Sequence, residues 1–226
     1  MGLLHLAGNP ALERIESVSL DWRFLIRGPA PSPDDVVVVA IDDPSLEEFG
    51  WPMPRQTLAA AIDRIGGAGA QVIGVDILLL ESGSAAGDAA LRTALLRNER
   101  TVLAMGLRLD GDASELSGDD VGDLALPAYA RPAVGSLVPQ QATGLLKPIA
   151  GFATAAKMGH VMLQPDSGGT PRAHFPIIAV GDSMLPSFPL LVAVAQRGQS
   201  IKSILLSLSG SLQIPGSDGT AQQPIE

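Results

Sequence analysis

Gln71-Val72-Ile73-Gly74-Val75-Asp76-Ile77-Leu78-Leu79 carries one charge in its length and no alternation of apolar and polar residues. Such a run predicts a strand covered on both faces, as in the middle of a parallel sheet. Two comparable runs flank it: Val36-Val37-Val38-Val39-Ala40-Ile41 upstream and Thr101-Val102-Leu103-Ala104-Met105-Gly106-Leu107 downstream. Asp42-Asp43-Pro44 reads as the stop of the first run. Pro54 to Gly66 repeats Leu58, Ile62 and Ile65 at helical spacing and ends at Gly66-Gly67. A third helix, capped by Asp88, is expected to carry Leu91 and Leu95. Residues 36–107 therefore read β-α-β-α-β, an order that calls for a parallel sheet with right-handed crossovers.

The remaining segments attach to this core. Residues 10–27 read as a helix with Leu12, Ile15, Val18, Leu20 and Trp22 in a stripe that thickens at Phe24 to Ile26. Arg27-Gly28-Pro29-Ala30-Pro31-Ser32-Pro33 is a stiff, non-helical connector. Residues 108–150, acidic and then Pro-rich, read as loop, with a short helix from Pro148 to Lys157. His160 to Leu163 and Arg172 to Val180 read as strands, separated by a turn at Pro165 to Gly169. Gly181-Asp182-Ser183 is a turn, and Ser187 caps a helix with Pro189 in its first turn. Ile201 to Leu212 reads as a last strand. The expected fold is α/β: a three-layer sandwich with a largely parallel central sheet and an antiparallel C-terminal hairpin. The expected organisation is a juxtamembrane stem helix over 1–27, one domain over 28–213 and a flexible tail over 214–226.

Composition excludes whole classes. The 226 residues include 15 basic and 24 acidic side chains, a formal charge of −9, so no basic surface for nucleic acid is expected. There is no cysteine, which removes disulfides, thiolate metal sites and Cys nucleophiles together. No window reaches the roughly 18 uncharged apolar residues of a spanning helix. No basic region follows Met1, so no signal peptide is expected, and the chain read alone is a soluble domain. Its mean hydropathy of +0.27 is nevertheless high and hints at a hydrophobic parent.

Four groupings could carry chemistry. Gly181-Asp182-Ser183-Met184 after an apolar strand resembles the nucleophile block of Gly-Asp-Ser-Leu hydrolases. Nucleophilic serine needs a base, and His5, His160 and His174 all lie upstream of it rather than in the downstream Asp-x-x-His that family uses. A hairpin turn is the simpler reading. Asp110-Gly111-Asp112 opens like a calcium loop, but Glu115 and Val121 stand where Gly and Glu are required. Asp42, Asp43 and Asp76 fall at the C-terminal ends of two parallel strands, the rim where ligands commonly sit. Three carboxylates there could hold Mg²⁺ for phosphoryl chemistry, or cap the following turn and pair with Arg55 or Arg23. His160 is a lone histidine, read at the start of a strand, and a structural role suits it better than a ligand role. Trp51, in the rigid Trp51-Pro52-Met53-Pro54-Arg55 loop, could face a ligand or pack on the sheet edge.

Several segments, in order, resemble one family. They are Leu20-Asp21-Trp22-Arg23-Phe24 with Arg27-Gly28-Pro29, Val37 to Asp43, Gly50 to Arg55, and Gly69 to Leu78. Gly159-His160-Val161, Pro165-Asp166-x-Gly168, Arg172, Pro176 and the Pro186-Ser187 helix start complete the set. Their order and spacing resemble a type-2 CHASE domain, an extracellular sensor associated with bacterial cyclases, histidine kinases and Ser/Thr kinases. The resemblance implies a non-enzymatic ligand-input domain on the extracytoplasmic (periplasmic or extracellular) side of a membrane receptor. It further implies flanking transmembrane helices, a cytoplasmic cyclase or kinase output module and a homodimer in the parent receptor. No cofactor and no metal are expected, the ligand is an unknown small molecule or protein, and Asp42, Asp43, Trp51, Arg55, Asp76 and His160 are its candidate binding residues. The chain departs from the pattern where Met53 replaces a common second aromatic. It also lacks an Asn-Tyr-Arg-Gly type segment before Glu226, so a cut ectodomain without its last strand or membrane-proximal part is expected. The competing reading is a metal-dependent phosphohydrolase using Asp42, Asp43 and Asp76.

Overall fold

The computed structural model describes residues 10–31, 35–110, 140–166, 169–181, 183–200, 205–206 and 212–213. Helices are α1 (Pro10–Arg27), α2 (Asp43–Phe49), α3 (Arg55–Gly67), α4 (Ala85–Arg97), α5 (Ala150–Ala153) and α6 (Phe188–Gln196). Strands β1 (Ile73–Val75), β2 (Thr101–Arg108), β3 (Gly144–Leu146) and β4 (Lys157–His160) form the main sheet. Four further strands, β5 (Leu163–Pro165), β6 (Pro171–His174), β7 (Ile177–Val180) and β8 (Ser183–Pro186), make two antiparallel hairpins. A short pair, β9 (Leu205–Leu206) and β10 (Leu212–Gln213), closes the described chain.

The sheet is built around β2. Residues Thr101 to Leu107 are buried without interruption, so this strand must be covered on both faces and flanked on both edges. β1 and β4 pair with it in parallel, with Ile73 opposite Thr101 and Val102 opposite Lys157. β3 pairs antiparallel to its far end, with Leu107 opposite Leu145. On one face Leu58 and Ile62 of α3 and Leu91, Ala94 and Leu95 of α4 join Ile73, Leu103 and Met105 in the core. On the other face α6 lies close to the sheet. A Cβ at Gly159 would stand 2.6 Å from backbone atoms of Phe188, and one at Gly74 would stand 2.8 Å from the Phe188 ring. Three layers result, and the α/β sandwich with a parallel centre and antiparallel hairpins is borne out.

Several local expectations are corrected. Residues 36–41 are not a strand: they lie outside the sheet with no regular structure, and Val37 and Val38 are 82 % and 84 % exposed. The run 71–79 narrows to three paired residues, and its extension is used at Leu79, whose carbonyl accepts from the Ile149 N–H at 3.1 Å. Pro44 opens a helix rather than merely stopping a strand, because Asp42 caps α2 and proline fits its first turn. Ser84, not Asp88, caps α4, its hydroxyl accepting from the Gly87 N–H at 3.1 Å. Asp88 instead accepts from the Gly83 N–H at 3.0 Å.

The expected helix from Pro148 to Lys157 shrinks to α5, because the chain re-enters the sheet at Lys157. His160 therefore ends a strand instead of starting one. The expected strand over Arg172 to Val180 breaks between His174 and Ile177, and the two halves pair with different neighbours. The last expected strand is two short ones. The capped helix after Ser187 and the turn at Gly181 stand as read. The calcium-like loop lies, beyond Asp110, outside the described residues, as does the tail.

The approach of α6 gives a direct test. Gly159→Ala forces the new Cβ against backbone and is expected to lower stability by about 1–3 kcal/mol, the range for overpacking a filled interior. Gly67→Ala, at a position with open space and no positive φ, is expected to raise stability by about 0.5–1 kcal/mol. Urea unfolding followed by circular dichroism reads both.

Candidate functional site

The three aspartates of the strand rim do not converge. Asp42 is committed to α2: its Oδ1 accepts from the Ser45 N–H at 3.1 Å and from the Ser45 hydroxyl at 2.6 Å. These bonds favour the carboxylate and hold it below its ordinary titration range. Asp43 opens α2, Asp76 follows β1, and both are exposed. Ile41, beside Asp42, packs on the same core cluster as Val75 and Ile77 on either side of Asp76. Among the described residues no group of three His, Cys, Asp or Glu is close enough to hold a metal ion. Of the alternatives open in the sequence, capping is the one realised at Asp42.

The arginines expected to pair with that rim are engaged elsewhere. Arg55, at the start of α3, donates from Nη2 to the Glu81 carbonyl at 3.0 Å. Its Nε lies 3.7 Å from Asp88 Oδ1, and its guanidinium sits 5.8 Å from the Phe152 ring centre. Arg55 thus ties α3 to the loop before α4. Arg23 donates to the Ser19 carbonyl at 3.3 Å within α1. Trp51 is 63 % exposed while Met53, two residues on, is buried in the core. Trp51 is therefore presented to solvent rather than packed on the sheet edge.

His160 lies inside the fold. It is fully buried at the end of β4; its Nδ1 accepts from the Met162 N–H at 3.4 Å, and its Nε2 has no hydrogen-bond partner among the described residues. Burial, reinforced by nearby His174, pushes its pKa down to about 4, so the imidazole is neutral at physiological pH. His174 Nε2 lies 3.2 Å from the hydroxyl of Ser187, and that hydroxyl accepts from the Leu190 N–H at 3.3 Å to cap α6. His160 and Ser187 also form a bridge between β4 and the start of α6. This cluster joins sheet, hairpin and helix.

A charged junction lies at Arg172, which sequence reading quoted only as part of the resemblance. Its Nη1 and Nη2 donate to the two carboxylate oxygens of Asp21 at 2.5 and 2.9 Å, and its Nε donates to Asp166 at 2.6 Å. Two-pronged Arg–carboxylate pairing fixes direction as well as distance. The junction fastens α1 to the β5–β6 hairpin across 151 residues of chain, a separation no spacing rule reaches. Asp21 is held below its ordinary pKa by that bond, and Arg172 is raised above its own.

An open groove of about 530 Å³ lies between α3 and α4, floored by Ala59, Ala90 and Ala94 and edged by the Asp63–Arg97 pair. None of the six candidate residues lines it. No helix of the described residues is long and apolar enough to cross a membrane.

A model of the CHASE2 domain family matches residues 1–224, and the chain belongs to that family, whose members are extracellular sensory domains. No curated protein and no solved structure matches the chain.

The buried histidine sets a pH window. The folded pKa of about 4 lies below the 6.5 of an ordinary imidazole, so the unfolded chain binds the proton first. Its contribution is complete above pH 6.5 and is lost as pH falls toward 4, on the order of 3 kcal/mol in all. The urea midpoint is expected to fall across that interval, and His160→Leu is expected to flatten the fall.

Proposed function

We propose that this chain is the extracytoplasmic input domain of a bacterial transmembrane receptor whose cytoplasmic part is a nucleotide cyclase or a protein kinase. The domain binds and transmits, and performs no chemistry. The exposed Asp42, Asp43, Asp76 and Trp51 are its candidate contacts for a small molecule or protein. Arg55, at the α3–α4 corner, and His160, at the foot of α6, hold elements of the body together rather than touching the ligand. The receptor works as a homodimer through α1.

One observation carries this reading: α1 is fastened to the body by a charged pair while its apolar side is left uncovered. Ile15, Val18, Trp22 and Leu25, spaced three or four residues apart, are 67, 50, 61 and 73 % exposed. That spacing is the seam of a two-helix coiled coil. A helix tied at Arg172 and paired with its twin can pass a shift in the body to a membrane helix. Transmission requires that the ligand favour one arrangement over the other. The phosphohydrolase alternative gains nothing from carboxylates that do not converge.

Two measurements test the proposal. Sedimentation of the chain is expected to give a dimer, and removal of residues 1–27 a monomer; a dimer that survives the removal refutes the α1 interface. In the full reading frame, bilayer-crossing helices and a cyclase or kinase module are expected beside these residues; their absence refutes the receptor reading. Separately, Asp21→Asn is expected to speed tryptic cleavage after Arg23 and Arg27 several-fold without shifting the Tm of the body. The pair is half exposed, so it steers the helix more than it stabilises the fold.

A further inference from the structure

Two loose ends of the fold match each other. The first is residues 36–41, a six-residue run, β-branched at all but Ala40, with Val36 to Val39 between 64 and 84 % exposed and no strand beside it among the described residues. A flat, exposed apolar run of this kind is an open invitation to aggregation, which native proteins avoid. The second is the outer edge of β1. Ile73 donates to the Arg100 carbonyl at 3.3 Å, toward β2. Alternation along the strand then turns the backbone groups of Val72, Gly74 and Asp76 outward. Gly74 and Asp76 are solvent-exposed there, and among the described residues no strand pairs with that edge.

Handedness says which segment belongs on the edge. β1, α4 and β2 form one parallel crossover, with α4 on the face that α3 also covers. Successive right-handed crossovers that step in one direction lay their helices on one face. α3 lies between residues 36–41 and β1 and packs with α4. The strand preceding α3 therefore steps in from outside β1, at the open edge. Ile41 already packs on the core cluster that Val75 and Ile77 also meet, so the segment is held at its C-terminal end, while Val36 to Val39 are exposed.

We propose that residues 36–41 are a detachable outer strand that pairs in parallel with the open edge of β1 of the same chain, giving the order 36–41, β1, β2, β4. Aligning Asp42 with Asp76 places Val39 opposite Ile73 and Ile41 opposite Val75. The segment joins α1 and the 28–31 connector to the Asp42 rim, so its docking sets where α1 stands. That a ligand on the rim favours the docked state rests on the sensor reading; the docking itself does not.

The absence of native cysteine makes a cross-link test clean. Neighbouring strands bring Cα atoms within disulfide range. Under mild oxidation of Val39→Cys/Ile73→Cys, an intramolecular disulfide in monomeric protein is expected, and Val38→Cys/Ile73→Cys, facing opposite sides, is expected to form far less. Disulfide-linked dimers would assign the edge to a second copy and overturn the proposal, and so would no disulfide in folded protein. Hydrogen exchange of the unaltered chain guards against variants that fail to fold. Amides within 37–41 are expected to be slowed by about tenfold or more, with Val37→Lys abolishing the protection; exchange at the free-peptide rate overturns the proposal. None of these readouts involves ligand or output, so failure here leaves the sensor reading standing, and failure of the receptor tests leaves this one standing.

Discussion

The buried strand β2 is the constraint from which the rest of the architecture follows. Seven consecutive residues from Thr101 to Leu107 are shielded from water, and a strand of that kind has no face to spare for solvent. One side is closed by the aliphatic stripes of α3 and α4. The other is closed by α6, which gets near enough only because Gly74 and Gly159 carry no side chain at the contact. Apolar burial at about 25 cal/mol per Å² supplies the drive, but the two glycines set how closely the third layer can sit. The polar clusters then appear where elements must be joined rather than buried: Arg55 at the α3–α4 corner, the His160–Ser187–His174 group at the foot of α6, and Arg172 at the hairpin.

Exposed apolar surface is distributed very unevenly. Among the described residues most of the large exposed apolar side chains precede Pro52, in α1, in residues 36–39, in α2 and at Trp51. After that point the helices and strands of the sandwich bury their apolar faces in the usual way. A body that satisfies itself, preceded by an arm that does not, is the expected anatomy of a domain whose N-terminal segment meets other surfaces. Arg172 stands at the boundary between the two, holding the arm by charge where it is not held by burial.

The parts of this fold legible in the sequence are those dictated by local pattern. The uninterrupted run of β2, the Leu58–Ile62 stripe of α3, and Ser187 with Pro189 at the start of α6 all report local propensities that tertiary contacts reinforce. The misreadings fall where local pattern leaves a choice open. Pro44 fits a strand stop and a helix start alike, and Asp42 as a cap decides for the helix, a signal present in the sequence and outweighed by the apolar run before it. Ser84 and Asp88 are both capping residues, and only the path of the loop decides between them. At His160, a shift of three residues moves the histidine from the start of a strand to its buried end, and hydropathy cannot set that register. The Asp21–Arg172 pair depends wholly on tertiary placement.

The candidate site was legible as chemistry and not as geometry. Carboxylates after parallel strands mark a rim in any such sheet, and Asp76 takes that position. Whether they gather into a metal-binding pocket depends on backbone position to within an ångström or two, which the residue types do not encode. Here one oxygen of Asp42 accepts twice from Ser45, and Arg55 donates to the Glu81 carbonyl and pairs with Asp88. Groups satisfied by their neighbours are poor acids, bases and nucleophiles, since such roles call for a group poised near the working pH and free to exchange its proton. They are serviceable as fixed features that hold a surface in one shape. For a sensory domain that is the more useful property, because a ligand can shift an equilibrium between arrangements only if each arrangement is itself well defined.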